Sequence, residues 1–154
     1  MARLLGETAE LYTRHLLLNF KRQAVDSQVF SINEGKIELP EFSSVEHRSG
    51  LVIQGDMVEF DLTARGDEEW LIEVKYWTKP VSVTEVDKFI AKLQKLDGWH
   101  VPLLPGKQIW FFSKNGFQDN AKTRLQELKI RHSDIFGFNE LCRAVRIGEV
   151  PVTL

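Results

Sequence analysis

The chain has 154 residues, 43% of them hydrophobic and 27% charged, the profile of one ordinary globular domain rather than of a disordered or fibrous chain. Its 20 Lys+Arg against 22 Asp+Glu leave a formal net charge of −2, which argues mildly against a nucleic-acid binder. The single cysteine, Cys142, excludes an intrachain disulfide and a Cys-x-x-Cys zinc site, and no apolar run approaches the roughly 20 residues of a membrane helix.

The start, Met1-Ala2-Arg3-Leu4-Leu5-Gly6-Glu7, lacks the apolar core of a secretion signal, so a cytoplasmic chain folding as one domain over 1–154 is expected. Residues 3–21 read as a helix, with Leu4, Leu5, Leu11, Tyr12, Leu16, Leu17 and Phe20 on a helical period. Asn33-Glu34-Gly35-Lys36 signals a turn and Pro40 a break. Residues 42–53 alternate loosely and end in Leu51-Val52-Ile53, which predicts a strand. After Gly55-Asp56, residues 57–64 predict another, with Val58, Phe60 and Leu62 on one face and Glu59, Asp61 and Thr63 on the other.

Arg65-Gly66-Asp67-Glu68-Glu69 reads as a hairpin connection, and residues 70–77 as its second strand, placing Glu73 and Lys75 on a shared face. Pro80 ends that strand. Ser82 or Thr84 can cap the next helix, whose stripe is Val86, Phe89, Ile90, Leu93 and Leu96, with Asp97-Gly98 as its stop. A loop with Pro102, Pro105 and Gly106 leads to a strand at 108–112, and Ser113-Lys114-Asn115-Gly116 to a helix at roughly 118–128. Strand, helix, strand, helix in the second half predicts an α/β fold: a mixed sheet with helices on both faces.

Charge is unevenly distributed. Residues 1–74 hold 7 Lys+Arg and 14 Asp+Glu, whereas 75–131 hold 11 and 5. The boundary falls between Glu73 and Lys75. A hairpin over 57–77 brings Asp61 toward that pair. Two carboxylates can hold a divalent cation such as Mg²⁺ or Mn²⁺, and the Val74 carbonyl can add an oxygen ligand. A neighbouring lysine can orient a water or stabilise charge, which completes what phosphodiester hydrolysis needs. The same residues would also suit a solvated, salt-bridged strand pair. Against that, residues 70–77 are apolar almost throughout, and a buried strand must place Glu73 and Lys75 somewhere polar.

Asp61, eleven residues, then Glu73-Val74-Lys75 resembles the PD-(D/E)xK signature of the restriction-endonuclease-like superfamily, with Phe60 where the signature has proline. Glu59-Phe60-Asp61-Leu62-Thr63-Ala64 is similar to the segment around the catalytic aspartate in Mrr-like endonucleases and archaeal Holliday-junction resolvases. Gly6 and Glu10 resemble the Gly-x-x-x-Glu start of their first helix, and Phe111-Phe112-Ser113 with Gly116-Phe117 and Ala121 a later strand-to-helix passage. The resemblance implies a restriction-endonuclease-like fold and Mg²⁺-dependent hydrolysis of DNA. Asp61 and Glu73 would hold the metal, Lys75 would assist the attacking water, and Glu10 is a further candidate ligand. It also implies a homodimer or a separate helicase or recognition partner. The alternative is a catalytically inactive nuclease-fold module that binds nucleic acid or a protein.

Around this core, Glu7, Asp56 and Glu59 compete as acids. Lys79 can reach phosphate, and Lys88, Lys92 and Lys95 can follow a nucleic-acid backbone or form a solvated helix face. Trp77 and Trp99 can stack bases, whereas Trp110 in its apolar strand suits the core. The four histidines, His15, His47, His100 and His132, show no metal-ligand spacing, and the chain has no Gly-rich phosphate loop.

Overall fold

A computed structural model describes residues 2–48, 50–53, 56–96, 99, 103 and 105–152, with the side chains of 2–5, 50–53, 56 and 57 set aside. The first helix, α1 (Ala2–Leu18), is followed by a small antiparallel pair, β1 (Ala24–Asp26) and β2 (Lys36–Glu38), around a 3-10 turn at Ser27–Phe30. Next come β3 (Phe42–His47), an antiparallel pair β4 (Gly50–Ile53) and β5 (Asp56–Glu59), and the hairpin β6 (Leu62–Gly66) and β7 (Glu69–Lys75). The second half runs α2 (Val83–Leu93), β8 (Lys107–Ser113), α3 (Asp119–Glu127), β9 (Arg131–Ser133) and α4 (Ile135–Val145).

The main sheet has the order β3-β6-β7-β8-β9. Its first two pairings are antiparallel and its last two parallel, so β7 is the strand at which the sheet changes sense. Helices cover both faces, and the alternation of the central strands shows how. Trp70, Ile72 and Val74 of β7 and Trp110 and Phe112 of β8 pack toward α1 and α4. Leu71, Ile109 and Phe111 pack toward α2 and α3. The fold is therefore α/β with a mixed sheet, as expected. Among the described residues, no helix is long and apolar enough to cross a membrane.

Trp70 anchors the first face. Its ring lies 5.5–6.3 Å from those of Phe20, Phe30, Phe42 and Trp110, mostly edge-on, and its indole N–H donates to Glu68 at 2.9 Å. Burying a polar ring edge requires such a partner. On the other face, Val86, Phe89, Ile90 and Leu93 of α2 are buried, as the stripe predicts, and the Ser82 hydroxyl accepts from the Glu85 N–H.

Two expectations need correction. The strand predicted at 57–64 is broken at Phe60-Asp61 into β5 and β6. Val58 and Phe60 enter the core beneath α2, whereas Leu62 and Ala64 enter the core beneath α1. A regular strand would keep all four on one face. The strand predicted over 42–53 likewise splits into β3 and β4, with Arg48 left-handed at φ 52° between them. The helix stop at Asp97-Gly98, the loop proline Pro102 and the turn residue Gly55 lie outside the described residues.

Candidate active site

The candidate residues meet where β6 begins and β7 ends. Leu62 pairs with Ile72 in the hairpin, so Asp61, one step earlier, falls beside Glu73. The Val74 N–H donates to Asp61 Oδ2 at 2.7 Å, which turns the Asp61 side chain onto β7. The Asp61 and Glu73 carboxyls lie within hydrogen-bonding reach of each other. On the other side of β6, His47 pairs with Leu62 and the Arg48 N–H donates to the Asp61 carbonyl at 2.8 Å. Arg48 just past β3, Asp61 just before β6 and Glu73 near the end of β7 thus stand side by side.

Glu73 is 7% exposed and faces the α2 side, where it is the buried acid of β7. Lys92 of α2 places its Nζ 3.4 Å from Glu73 Oε2, and Lys75 Nζ lies 4.0 Å from the same oxygen. These cations do not offset the setting. Burial first, and the neighbouring Asp61 charge second, push the Glu73 carboxyl up to about 7, with Lys92 and Lys75 pulling the other way. Lys92 is held over the Phe60 ring, 4.6 Å from its centroid, and Lys75 over Trp77 at 4.8 Å.

On the Asp61 side of the pair opens a cleft of about 580 Å³, walled by Glu7, Glu10, Arg48, Asp61 and the segment from Val74 to Lys79; Glu73 lies behind this wall. Glu10 of α1 reaches it, but its carboxylate is already engaged: His47 Nε2 lies 2.7 Å and Arg48 Nε 3.1 Å from Glu10 Oε1. Arg48 also reaches Glu7 at 3.5 Å. Among the described residues no three His, Cys, Asp or Glu side chains gather closely enough to hold a metal ion. The structure therefore brings Asp61 and Glu73 together and leaves Glu10 apart from them as an ion-pair partner.

Of the other candidates, Lys79 is exposed on the cleft wall. Lys88 is exposed and pairs with Glu85 at 3.3 Å, away from that wall, and Lys92 turns inward to Glu73 instead of outward. Glu59 is exposed in β5, cut off from Asp61's face by the strand break. Trp77 is 41% exposed beside the cleft, whereas Trp99 and Trp110 are buried. His47 and Arg48 were not singled out for the site. Their local sequence reads only as part of a strand over 42–53; what recruits them is the pairing of β3 with β6, a contact between distant segments.

No family model matches the chain, and no curated protein matches it. One solved structure, a protein of unknown function designated AF1548, is similar at 20% identity with a TM-score of 0.49. The likeness covers 59% of this chain and 48% of that one, so this chain spans about half the length of that protein.

Proposed function

We propose that the chain is a divalent-metal-dependent nuclease of the restriction-endonuclease-like kind that hydrolyses phosphodiester bonds in DNA. One observation carries this reading: Asp61, on the wall of an open cleft, meets the buried Glu73 where the strands end, with Lys75 two residues on. Two carboxyls forced together at low exposure repel each other, and a divalent cation offsets that repulsion better than a lysine does. The donor set is hard oxygen, which suits Mg²⁺ or Mn²⁺.

Asp61 and Glu73 would hold the ion. Val74 would add its carbonyl: the N–H and C=O of a strand residue project to the same side, and the Val74 N–H points at Asp61. When bound, the cation supplies Lewis acidity and a lowered pKa for water. Lys75 would orient the attacking water and hold the charge that builds on the scissile phosphate. Arg48 and Lys79 on the cleft wall would take flanking phosphates. Glu10 stays outside this donor set while His47 and Arg48 engage it.

A second reading, an inactive nuclease-fold module, draws on the Lys92–Glu73 contact, which gives Glu73 a counter-charge without a metal. DNA cleavage assays separate the two. The nuclease reading expects EDTA-sensitive cutting of labelled linear or supercoiled DNA. It expects Asp61→Asn and Lys75→Met to slow cutting by roughly a hundredfold or more while the circular dichroism spectrum stays that of the folded parent. Cutting at the parent rate by both variants overturns the assignment. A parent chain that binds DNA and leaves it intact with Mg²⁺ and Mn²⁺ present supports the module.

A further inference from the structure

On β9, the edge strand two places across the sheet from β7, Arg131 lines a separate cavity of about 540 Å³. Its guanidinium is stacked over two buried rings, with the central carbon 5.3 Å from the centroids of both Phe30 and Trp70. The two rings, whose centroids are themselves 5.5 Å apart, cover one side of the group and strip part of its water. Yet among the described residues no carboxylate lies within ion-pair distance of it, and it makes no hydrogen bond to them. Glu68 is close enough to act through space, but it is occupied by the Trp70 indole N–H. Glu34 lines the cavity and likewise acts only through space.

A partly desolvated cation with an unused fork of donors is costly unless something completes it. The same cavity presents Lys129, held in the left-handed region at φ 56°, together with the side-chain amides of Asn33, Gln108 and Gln126. A planar fork, a second mobile cation and neutral donors around one space match a tetrahedral oxyanion with more than one charge. We infer that Arg131 and Lys129 form a phosphate-group site, distinct from the Asp61–Glu73 cleft. It does not rest on the nuclease reading: the residues, the cavity and the strand are all different.

The test is titration of the full chain with inorganic phosphate, followed by tryptophan fluorescence because Trp70 lies directly under the guanidinium, and by calorimetry. Saturable binding is expected. It should weaken roughly tenfold in Arg131→Met and several-fold in Arg131→Lys and Lys129→Ala, the scale of one charge-assisted hydrogen bond or more. Arg131→Lys keeps the charge and loses only the fork, and Lys129 is exposed, so these two variants remain informative if Arg131→Met fails to fold. A second arm compares a 5′-phosphorylated trinucleotide with its 5′-hydroxyl counterpart. Preference for the phosphorylated form over free phosphate assigns the ligand to a nucleic-acid end, and equal affinity assigns it to small phosphorylated molecules. Absence of saturable phosphate binding, or binding unchanged in both Arg131→Lys and Lys129→Ala, overturns the inference.

Discussion

Glu73→Gln isolates the electrostatic tension at the centre of the site. The Glu73 carboxyl titrates at about 7 in the folded chain against an ordinary 4.5. Below about 4.5 it is protonated whether the chain is folded or not, and folding is not penalised. Between those values the folded chain holds a proton that the unfolded chain has released, so stability falls as pH rises. Above about 7 the penalty is complete. At 1.36 kcal/mol per pKa unit it amounts to about 3 kcal/mol, of which about 2–3 kcal/mol develops between pH 5 and 8. Glutamine keeps the size of the side chain and removes the titration. Urea unfolding of parent and variant at pH 5, 6, 7 and 8 should give profiles that diverge, the variant gaining about 2–3 kcal/mol on the parent by pH 8. Titrating groups that do not interact with Glu73 cancel in the difference. Parallel profiles would refute the claim that burial and Asp61 raise Glu73.

Two further predictions concern the frame that positions the site. A Cβ added at Gly66, at the end of β6, would stand 2.2 Å from the Glu41 carbonyl oxygen and 2.7 Å from the Phe42 Cα. Gly66→Ala must therefore move backbone at the β3–β6 edge, and thermal or urea unfolding should show a loss of about 2 kcal/mol or more. Asp134 caps α4 by accepting from the Phe136 and Gly137 N–H groups at 3.0 and 3.1 Å. Asp134→Ala should lower stability by about 1–2 kcal/mol without changing metal binding, and an unchanged unfolding midpoint would show the cap to be idle.

Local patterning was sufficient for the elements that make the site possible. The hairpin turn between Arg65 and Glu69 placed Asp61 near Glu73, and the Val86–Phe89–Ile90–Leu93 stripe marked α2. Patterning misled where one strand changes sides. Val58, Phe60 and Leu62 alternate perfectly in sequence, yet the chain breaks at Asp61 and delivers Phe60 and Leu62 to opposite faces of the sheet. Period-2 spacing records side-chain alternation, and it carries no sign of where a backbone leaves a ladder. The helix α4 carries the same local signals: Asp134 is a capping residue, and Ile135, Phe138, Leu141, Cys142 and Val145 form a helical stripe. The partners of Glu10 were not legible. His47 and Arg48 lie 37 and 38 residues away and arrive only through the pairing of β3 with β6. The inward turn of Lys92 was hidden in the same way, because helical spacing allowed it an exposed face and only the packing of α2 over β7 gave it Glu73.

Mn²⁺ binding shows most directly whether Asp61 and Glu73 form one divalent-cation site. Calorimetric titration of the parent chain with Mn²⁺ at pH 8, where Glu73 is ionised, should show a single saturable site and proton release that grows as the pH is lowered toward 7. Asp61→Asn should abolish that binding and Lys75→Met should retain it. Heat indistinguishable from dilution in the parent, or Mn²⁺ binding that survives Asp61→Asn unchanged, would contradict a metal centre built on these two carboxylates.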